Sequence, residues 1–372
     1  MINPEIIDDI IYYIMALSIG IVGLPNVGKS TLFNALTKNS ILVANYPFAT
    51  IEPNIGIVAV PDIRLSVLQR IYSSEKVVSA TVTFIDIAGL VAGASQGEGL
   101  GNKFLANIRQ CDAIVHIVRA FYDDDIVHVS NQVSPKKDIE IINTELILAD
   151  IQTIEQRLPK LQKEIKARPS AKTTLNYLES LLRHLEAGTP LSALPSIDQE
   201  ATYDLHLLTA KPSIYVFNID EKTLSNSHQQ TELSKLVAPA RTIFICAKLE
   251  EELRDLPEDE AYELLKSYNA SSTGLLQLVK TAYDTLGLQS FLTAGKKEVR
   301  AWTINKGFTA PQAAGVIHSD FEKGFIAAQV VDYNDLIAAG SETAARTAGK
   351  IRTEGKTYIM QPNDVVEFRF NV

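Results

Sequence analysis
Apolar positions recur along this chain in two rhythms. Residues 17–22 (LSIGIV) are a short apolar run that stops at Gly23, which is the pattern of a buried strand. A Gly-rich turn follows, then an amphipathic stretch, Lys29–Thr37, that predicts a helix. Residues 38–54 are polar and Pro-punctuated and predict a loop. Short β-rich runs return at 55–60, 81–87, 113–118, 213–217 and 241–246, with helical stretches between most of them. Strands alternating with helices predict an α/β domain, a parallel sheet covered on both faces.

Between about Asp138 and Leu208 the strand rhythm disappears. Leu146, Ile147, Ile151, Ile154, Leu158, Leu161 and Ile165 recur at spacings near three and four. After Arg168-Pro169-Ser170 the pattern resumes with Leu175, Leu178, Leu181, Leu182 and Leu185. Proline cannot continue a helix, and its predecessor is biased away from helical angles. The segment predicts two antiparallel helices inserted as an arm at 138–208. Around the predicted hairpin tip stand Arg157, Lys160, Lys163, Lys166, Arg168 and Lys172, with Glu164 as the one acid. Such a cluster suits either a solvated face or a contact with RNA phosphate.

Beyond Gly287 the character changes again. Residues 299–304, 325–331, 356–360 and 365–371 predict four short strands, with helix or turn near 310–315 and 333–339. This predicts a compact α+β domain at 289–372. The parallel-sheet domain is then split into 16–137 and 209–288, and residues 1–15 form an N-terminal extension.

Composition narrows the class. With 372 residues, 46% apolar and 21% charged, the chain has enough material for several domains with ordinary cores. Its net charge of −9 argues against non-specific coating of nucleic acid, and no sequence-specific DNA partner is expected. Two cysteines, Cys111 and Cys246, lie far apart in apolar runs, which predicts a reduced cytoplasmic protein. No run reaches the roughly 18–20 apolar residues needed to cross a bilayer, so no membrane role is expected.

The strongest chemical signal is Gly23-Leu-Pro-Asn-Val-Gly28-Lys29-Ser30-Thr31, G-x-x-x-x-G-K-[ST] between a predicted strand and a predicted helix. Glycines let the backbone curl so that N–H groups face phosphate oxygens, and the helix N-terminus adds its positive dipole end. Lys29 would reach the β- and γ-phosphates, and Ser30 would offer a hydroxyl to Mg²⁺. Further on, Phe84-Ile85-Asp86-Ile87-Ala88-Gly89 ends an apolar strand in an acid, so Asp86 would hold the Mg²⁺ shell, and the Gly89 amide would touch the γ-phosphate. Thr50, in a loop of suitable length, would complete the metal's coordination while the γ-phosphate is present.

Two departures from GTPase patterns bear on substrate and rate. Where an Asn-Lys-x-Asp would read guanine, residues 218–221 are Asn218-Ile219-Asp220-Glu221. A carboxylate displaced by a methylene loses the paired geometry, which predicts ATP used at least as well as GTP, with a shifted Asp220 or Glu221 reading guanine as the alternative. Leu90 stands where many GTPases carry a water-orienting Gln, and leucine makes no hydrogen bond. Hydrolysis is therefore expected to be slow, or to use Gln96, Glu98 or His116.

GLPNVGKST, NYPFATIEPN, DIAGLVAGASQGEGLGNKFL, the N-x-x-E at 218–221 and TINKGFTAPQAAGVIHSDFEKGFIAAQVV together resemble the YchF/Obg-like ATPase family over essentially residues 16–372. The resemblance implies a P-loop, G-domain-like sheet with an inserted coiled-coil arm and a C-terminal TGS domain of ubiquitin-like β-grasp fold. It implies a Mg²⁺-dependent, ribosome-associated cytoplasmic ATPase acting as a switch in translation or stress response. Carried onto matching positions, ATP contacts fall on Asn26, Val27, Gly28, Lys29, Ser30 and Thr31, metal ligands on Ser30 and Thr50, and base contacts on Asn218 and Glu221 with Ile219 packing on the ring. An Obg-type GTPase and a nucleotide-gated binding protein with incidental hydrolysis are the alternatives.

Overall fold
The computed structural model describes residues 17–38, 54–87, 100–123, 132–254, 256–268 and 270–371. In chain order its strands are β1 (Ser18–Val22), β2 (Asn54–Ala59), β3 (Lys76–Val78), β4 (Thr81–Asp86), β5 (Ala113–Ala120), β6 (Ser213–Ile219), β7 (Arg241–Ile245), β8 (Leu288–Ala294), β9 (Glu298–Asn305), β10 (Phe325–Asp332), β11 (Arg352–Glu354) and β12 (Asp364–Phe370). Its contacts divide it into two compact units, Met1–Ile57 with Thr83–Leu278 and Val58–Val82 with Val279–Val372.

One six-stranded sheet has the order β2-β4-β1-β5-β6-β7. Strand β1 pairs in parallel with β4 and β5, β5 with β6, and β6 with β7. Every residue of β1 is buried, as is β5 up to Arg119, which is why both read as unbroken apolar runs rather than as alternation. The chain leaves β1 for β2 and β4 on one side and for β5 on the other. The reversal falls at the C-terminal end of β1, where an open α/β sheet leaves a crevice for ligands. The helix Lys29–Lys38 begins there.

The predicted arm is present as two helices, Pro135–Glu164 and Ala171–Glu186. Ile147, Ile154 and Leu161 of the first share a buried cluster with Leu178, Leu181 and Leu185 of the second. The first helix runs through Pro159 and ends at Glu164, ahead of the break expected at 168–170. At the arm's base the buried Asp150 carboxylate accepts from Leu208 N (2.8 Å), Thr209 N (2.7 Å) and Thr209 Oγ1 (2.7 Å). Those bonds fix the return of the chain towards β6. Near the tip Arg157 is engaged by Glu164 at 2.7 Å and Asp204 at 3.7 Å, while Lys160, Lys163, Lys166, Arg168 and Lys172 are exposed.

In the second unit the sheet order is β11-β10-β12-β8-β9-β3. Antiparallel β8–β9 and β10–β12 pairs are joined by parallel β8–β12 pairing. The helix Ala310–Ile317 lays Ala310, Ala313 and Ala314 on Phe291, Ile304 and Phe325, giving the β-grasp arrangement of helix on mixed sheet. Three details differ from the sequence-based expectation. Residues 356–360 are not a strand but contribute one bridge, Thr309 to Ile359. The short strand lies earlier, at β11. Strand β8 carries Gln289 and Ser290, which interrupt the apolar pattern yet are buried. Their polar atoms are satisfied, Gln289 Nε2 by Met360 O at 2.8 Å and Ser290 by the Tyr283 hydroxyl at 2.7 Å. Among the described residues no helix is long and apolar enough to cross a membrane.

Candidate functional site
The turn from β1 into the helix Lys29–Lys38 curls tightly through two glycines. Gly28 holds φ +97°, a left-handed conformation, and a Cβ there would lie 2.5 Å from Asn218 Nδ2. A Cβ on Gly23 would lie 2.5 Å from the Ile117 carbonyl oxygen. Both glycines are therefore demanded by close approach. Asn26, between them, is also left-handed at φ 60°.

Lys29 is buried, and its ammonium donates to Gly23 O at 3.0 Å and Leu24 O at 2.7 Å. Burial lowers its pKa from 10.5 to about 8, with the nearby Asp86 carboxylate opposing the shift. Asp86, half-buried at the end of β4, is pushed upward by burial and held back by Lys29. The loop thus keeps a poorly solvated cation within electrostatic reach of the Asp86 carboxylate. Ser30 and Thr31 open the helix and are exposed. Thr50, Gly89, Leu90, Gln96 and Glu98 lie outside the described residues, as do residues 1–15.

His116 is placed differently from the expectation of a water-activating group. It lies in mid-β5 opposite Val22 and Tyr215, is 3% exposed, and has its ring centroid 5.1 Å from that of Tyr215. Burial, aided by Lys29, drives its pKa down to about 3, so it is neutral at ordinary pH. It is a buried, neutral histidine within the sheet.

The ends of β5, β6 and β7 form a second part of the site, a cavity of about 660 Å³. Asn26, Gly28 and Thr31 line it from the loop, Phe121 and Tyr122 from just after β5, and Asn218 through Glu221 from the end of β6 and the turn into the helix that follows. Asn218 is buried and donates to Val27 O at 3.0 Å while accepting from Ala247 N at 3.3 Å, which ties the two halves of the site together. Ile219 is nearly covered at 2% exposure. The two adjacent acids divide their work. Asp220 caps the helix Glu221–Leu224, its Oδ1 accepting from Thr223 N at 2.8 Å. Glu221 instead turns to the cavity wall, accepting from Lys248 Nζ at 3.1 Å and Tyr268 Oη at 3.3 Å.

Some residues that line or back the cavity wall carried no sequence signal. Arg119 is 1% exposed and donates to the Phe121 and Asp123 carbonyls (3.2 and 3.1 Å), with its guanidinium 4.6 Å from the Phe121 ring centroid. It shapes the wall that presents Phe121 and the 81% exposed Tyr122. The clue available was position alone, since both follow the C-terminal end of a parallel strand.

Comparisons with known proteins agree along the chain. Residues 18–152 match the family described as a 50S ribosome-binding GTPase (MMR_HSR1), and residues 288–371 match YchF-GTPase_C, described as a protein of unknown function (DUF933). The ribosome-binding ATPase YchF of Bacillus subtilis is 49% identical over 366 residues, 96% of this chain and 100% of that protein. The protein of that name from Haemophilus influenzae is 50% identical over 363 residues, again 96% of this chain and all of its own length. The solved YchF GTPase of Schizosaccharomyces pombe superposes with a TM-score of 0.82 at 40% identity, covering 95% of this chain and 97% of that one.

Proposed function
The chain belongs to the YchF family, and from that premise we propose that it is a cytoplasmic, ribosome-associated ATPase that converts Mg²⁺-bound ATP to ADP and phosphate and acts as a nucleotide-dependent switch. The observation that carries the base choice is the division between the two acids at the end of β6. Both line the cavity, but Asp220 spends Oδ1 on its helix cap, whereas Glu221 is held by the side chains of Lys248 and Tyr268. Guanine needs both oxygens of one carboxylate turned to its edge, and a Glu221 held by those two donors is suited instead to offering one oxygen to the amino group of adenine. Ile219 and Asn218 back the ring and the loop, in keeping with the base-contact positions expected from the sequence.

The residues at the phosphate end fit a magnesium nucleotide. Gly23 and Gly28 leave no room for a Cβ, Lys29 is an under-solvated cation, and Ser30 and Asp86 are hard oxygen donors of the kind Mg²⁺ takes. Bound there with Thr50, the metal would neutralise charge on the β- and γ-phosphate oxygens. The chain's own part is positioning. Backbone amides of residues 26–30 and of Gly89 hold the phosphates, and Lys29 exchanges two carbonyl acceptors for phosphate oxygens. Asn218 keeps the Val27 turn in register with the base. Phosphoryl transfer depends mainly on positioning and charge stabilisation, so the lack of a residue-borne base at Leu90 makes turnover slow rather than impossible.

The same reading assigns ribosome contact to the exposed basic tip of the arm, 138–208, and to the C-terminal TGS domain, 289–372. The acidic remainder of the chain is unsuited to phosphate backbones. Calorimetric titration of nucleotide-free protein with non-hydrolysable Mg²⁺-ATP and Mg²⁺-GTP analogues tests the core of it. ATP binding equal to or tighter than GTP is expected. GTP tighter by about tenfold, or ~1.4 kcal/mol, would replace this reading with an Obg-type GTPase.

A further inference from the structure
We propose that Tyr268 is a positioning residue that sets base choice, by pinning one carboxylate oxygen of Glu221 so that the other alone faces the base. The inference rests on the reading of Glu221 as the base contact.

The two donors that hold Glu221 are built differently. Lys248 is on a flexible stem with a side chain 75% exposed, so its ion pair at 3.1 Å is open to water and weak. Tyr268 follows directly on the helix Glu258–Ser267, and its N–H closes that helix onto the Leu265 and Lys266 carbonyls. Its ring packs on the buried cluster of Cys246, Leu249 and Leu253 beneath the cavity. The phenol is thereby mounted on the core, with few ways to move its hydroxyl away from Glu221 Oε2 at 3.3 Å. Partial desolvation and the Glu221 charge both keep that phenol protonated, so it remains the donor.

The consequence follows from the shapes of the two purine edges. Guanine presents two neighbouring N–H donors, which a carboxylate meets by turning both oxygens towards them. Adenine presents one amino group beside a ring acceptor. With Oε2 held towards Tyr268, the Glu221 carboxylate cannot rotate to aim both oxygens at one base edge, and Oε1 is the oxygen left to turn to the base. That suffices for one donor and not for two. Glu221 is long enough to swing into a paired contact if released, so the phenol is what enforces the single-oxygen geometry.

The test is Tyr268→Phe, which keeps the packed ring and removes only the hydroxyl, measured by titration of Mg²⁺-bound non-hydrolysable ATP and GTP analogues. In the wild type ATP should bind at least as tightly as GTP. In Tyr268→Phe the ratio of ATP to GTP affinity should fall by about tenfold, mainly through tighter GTP binding, the scale of one charge-assisted hydrogen bond. Adding Tyr268→Phe to Glu221→Gln should change the ratio no further, because the phenol acts through that carboxylate. An unchanged ratio in Tyr268→Phe, or equal losses for both nucleotides, would leave the tyrosine with packing alone and overturn the inference. A wild type that binds GTP about tenfold more tightly than ATP would instead overturn the base reading on which it rests.

Discussion
Lys29 holds a charge under conditions that favour losing it. Its ammonium is buried against two carbonyls, and the pKa falls to about 8. Triphosphate oxygens arriving beside it favour the charged form and must raise that value. Nucleotide binding near pH 8 and above should therefore take up protons, while binding near about pH 6, where the lysine is already charged, should not. Calorimetry in buffers of different ionisation enthalpy reads this directly, and Lys29→Met should abolish both the uptake and most of the affinity. At Gly28 the constraint is steric. Gly28→Ala puts a methyl group on Asn218 Nδ2 in a left-handed backbone, and ATP affinity should fall at least tenfold, as a titration would show. These residues were legible from the chain alone, since a phosphate loop is a contiguous string whose physics is local. Tyr268, Phe121 and Arg119 were not, because Phe121 and Arg119 come to the site at the end of β5 and Tyr268 from beyond the helix Glu258–Ser267, all far along the chain from the loop.

At the scale of elements, the helix Ala247–Arg254 is joined to the helix Gly274–Thr285 by Glu250. Its Oε1 accepts from Gly274 N at 2.6 Å and Leu275 N at 3.3 Å, and burial raises its pKa from 4.5 to about 7 despite those bonds. The folded protein thus holds a proton that the unfolded chain releases between pH 4.5 and about 7. The contribution favours folding at the acid end of that window and is lost as pH rises through it. Glu250→Gln keeps an acceptor oxygen and buries no charge. Its stability should gain on the wild type as pH climbs from 5 to 8, by on the order of 2 kcal/mol at the upper end. Unchanged relative stability across that range would show that the two amides already compensate the carboxylate. The elements themselves were largely readable, and the misreadings share a cause. Strand β8 hides behind a buried, hydrogen-bonded Gln289 and Ser290, and β3 is only three residues long. Satisfied polar atoms and very short strands leave no apolar rhythm to detect.

For the whole molecule, the arm tip offers the cheapest separation of binding from hydrolysis. Replacing Lys160, Lys163, Lys166 and Lys172 with Glu together should weaken co-sedimentation with ribosomes and flatten its salt dependence, while ribosome-free ATP turnover stays at the wild-type rate. Retained, equally salt-sensitive binding would mean that these lysines form a solvated face. Arg157 is left out because Glu164 and Asp204 already engage it. What the amino-acid sequence determined by itself was whatever rests on neighbours in the chain: the phosphate loop, the strand-and-helix alternation, the two-helix arm and the family they add up to. Tertiary structure alone decided between groups that sequence left equivalent. It committed Asp220 to a cap and Glu221 to the cavity, retired His116 into the core, and grouped Val58–Val82 with the C-terminal sheet. The reason is physical: an acid's or an imidazole's chemistry is set by burial and by donors brought from distant segments, and neither exists until the chain has folded.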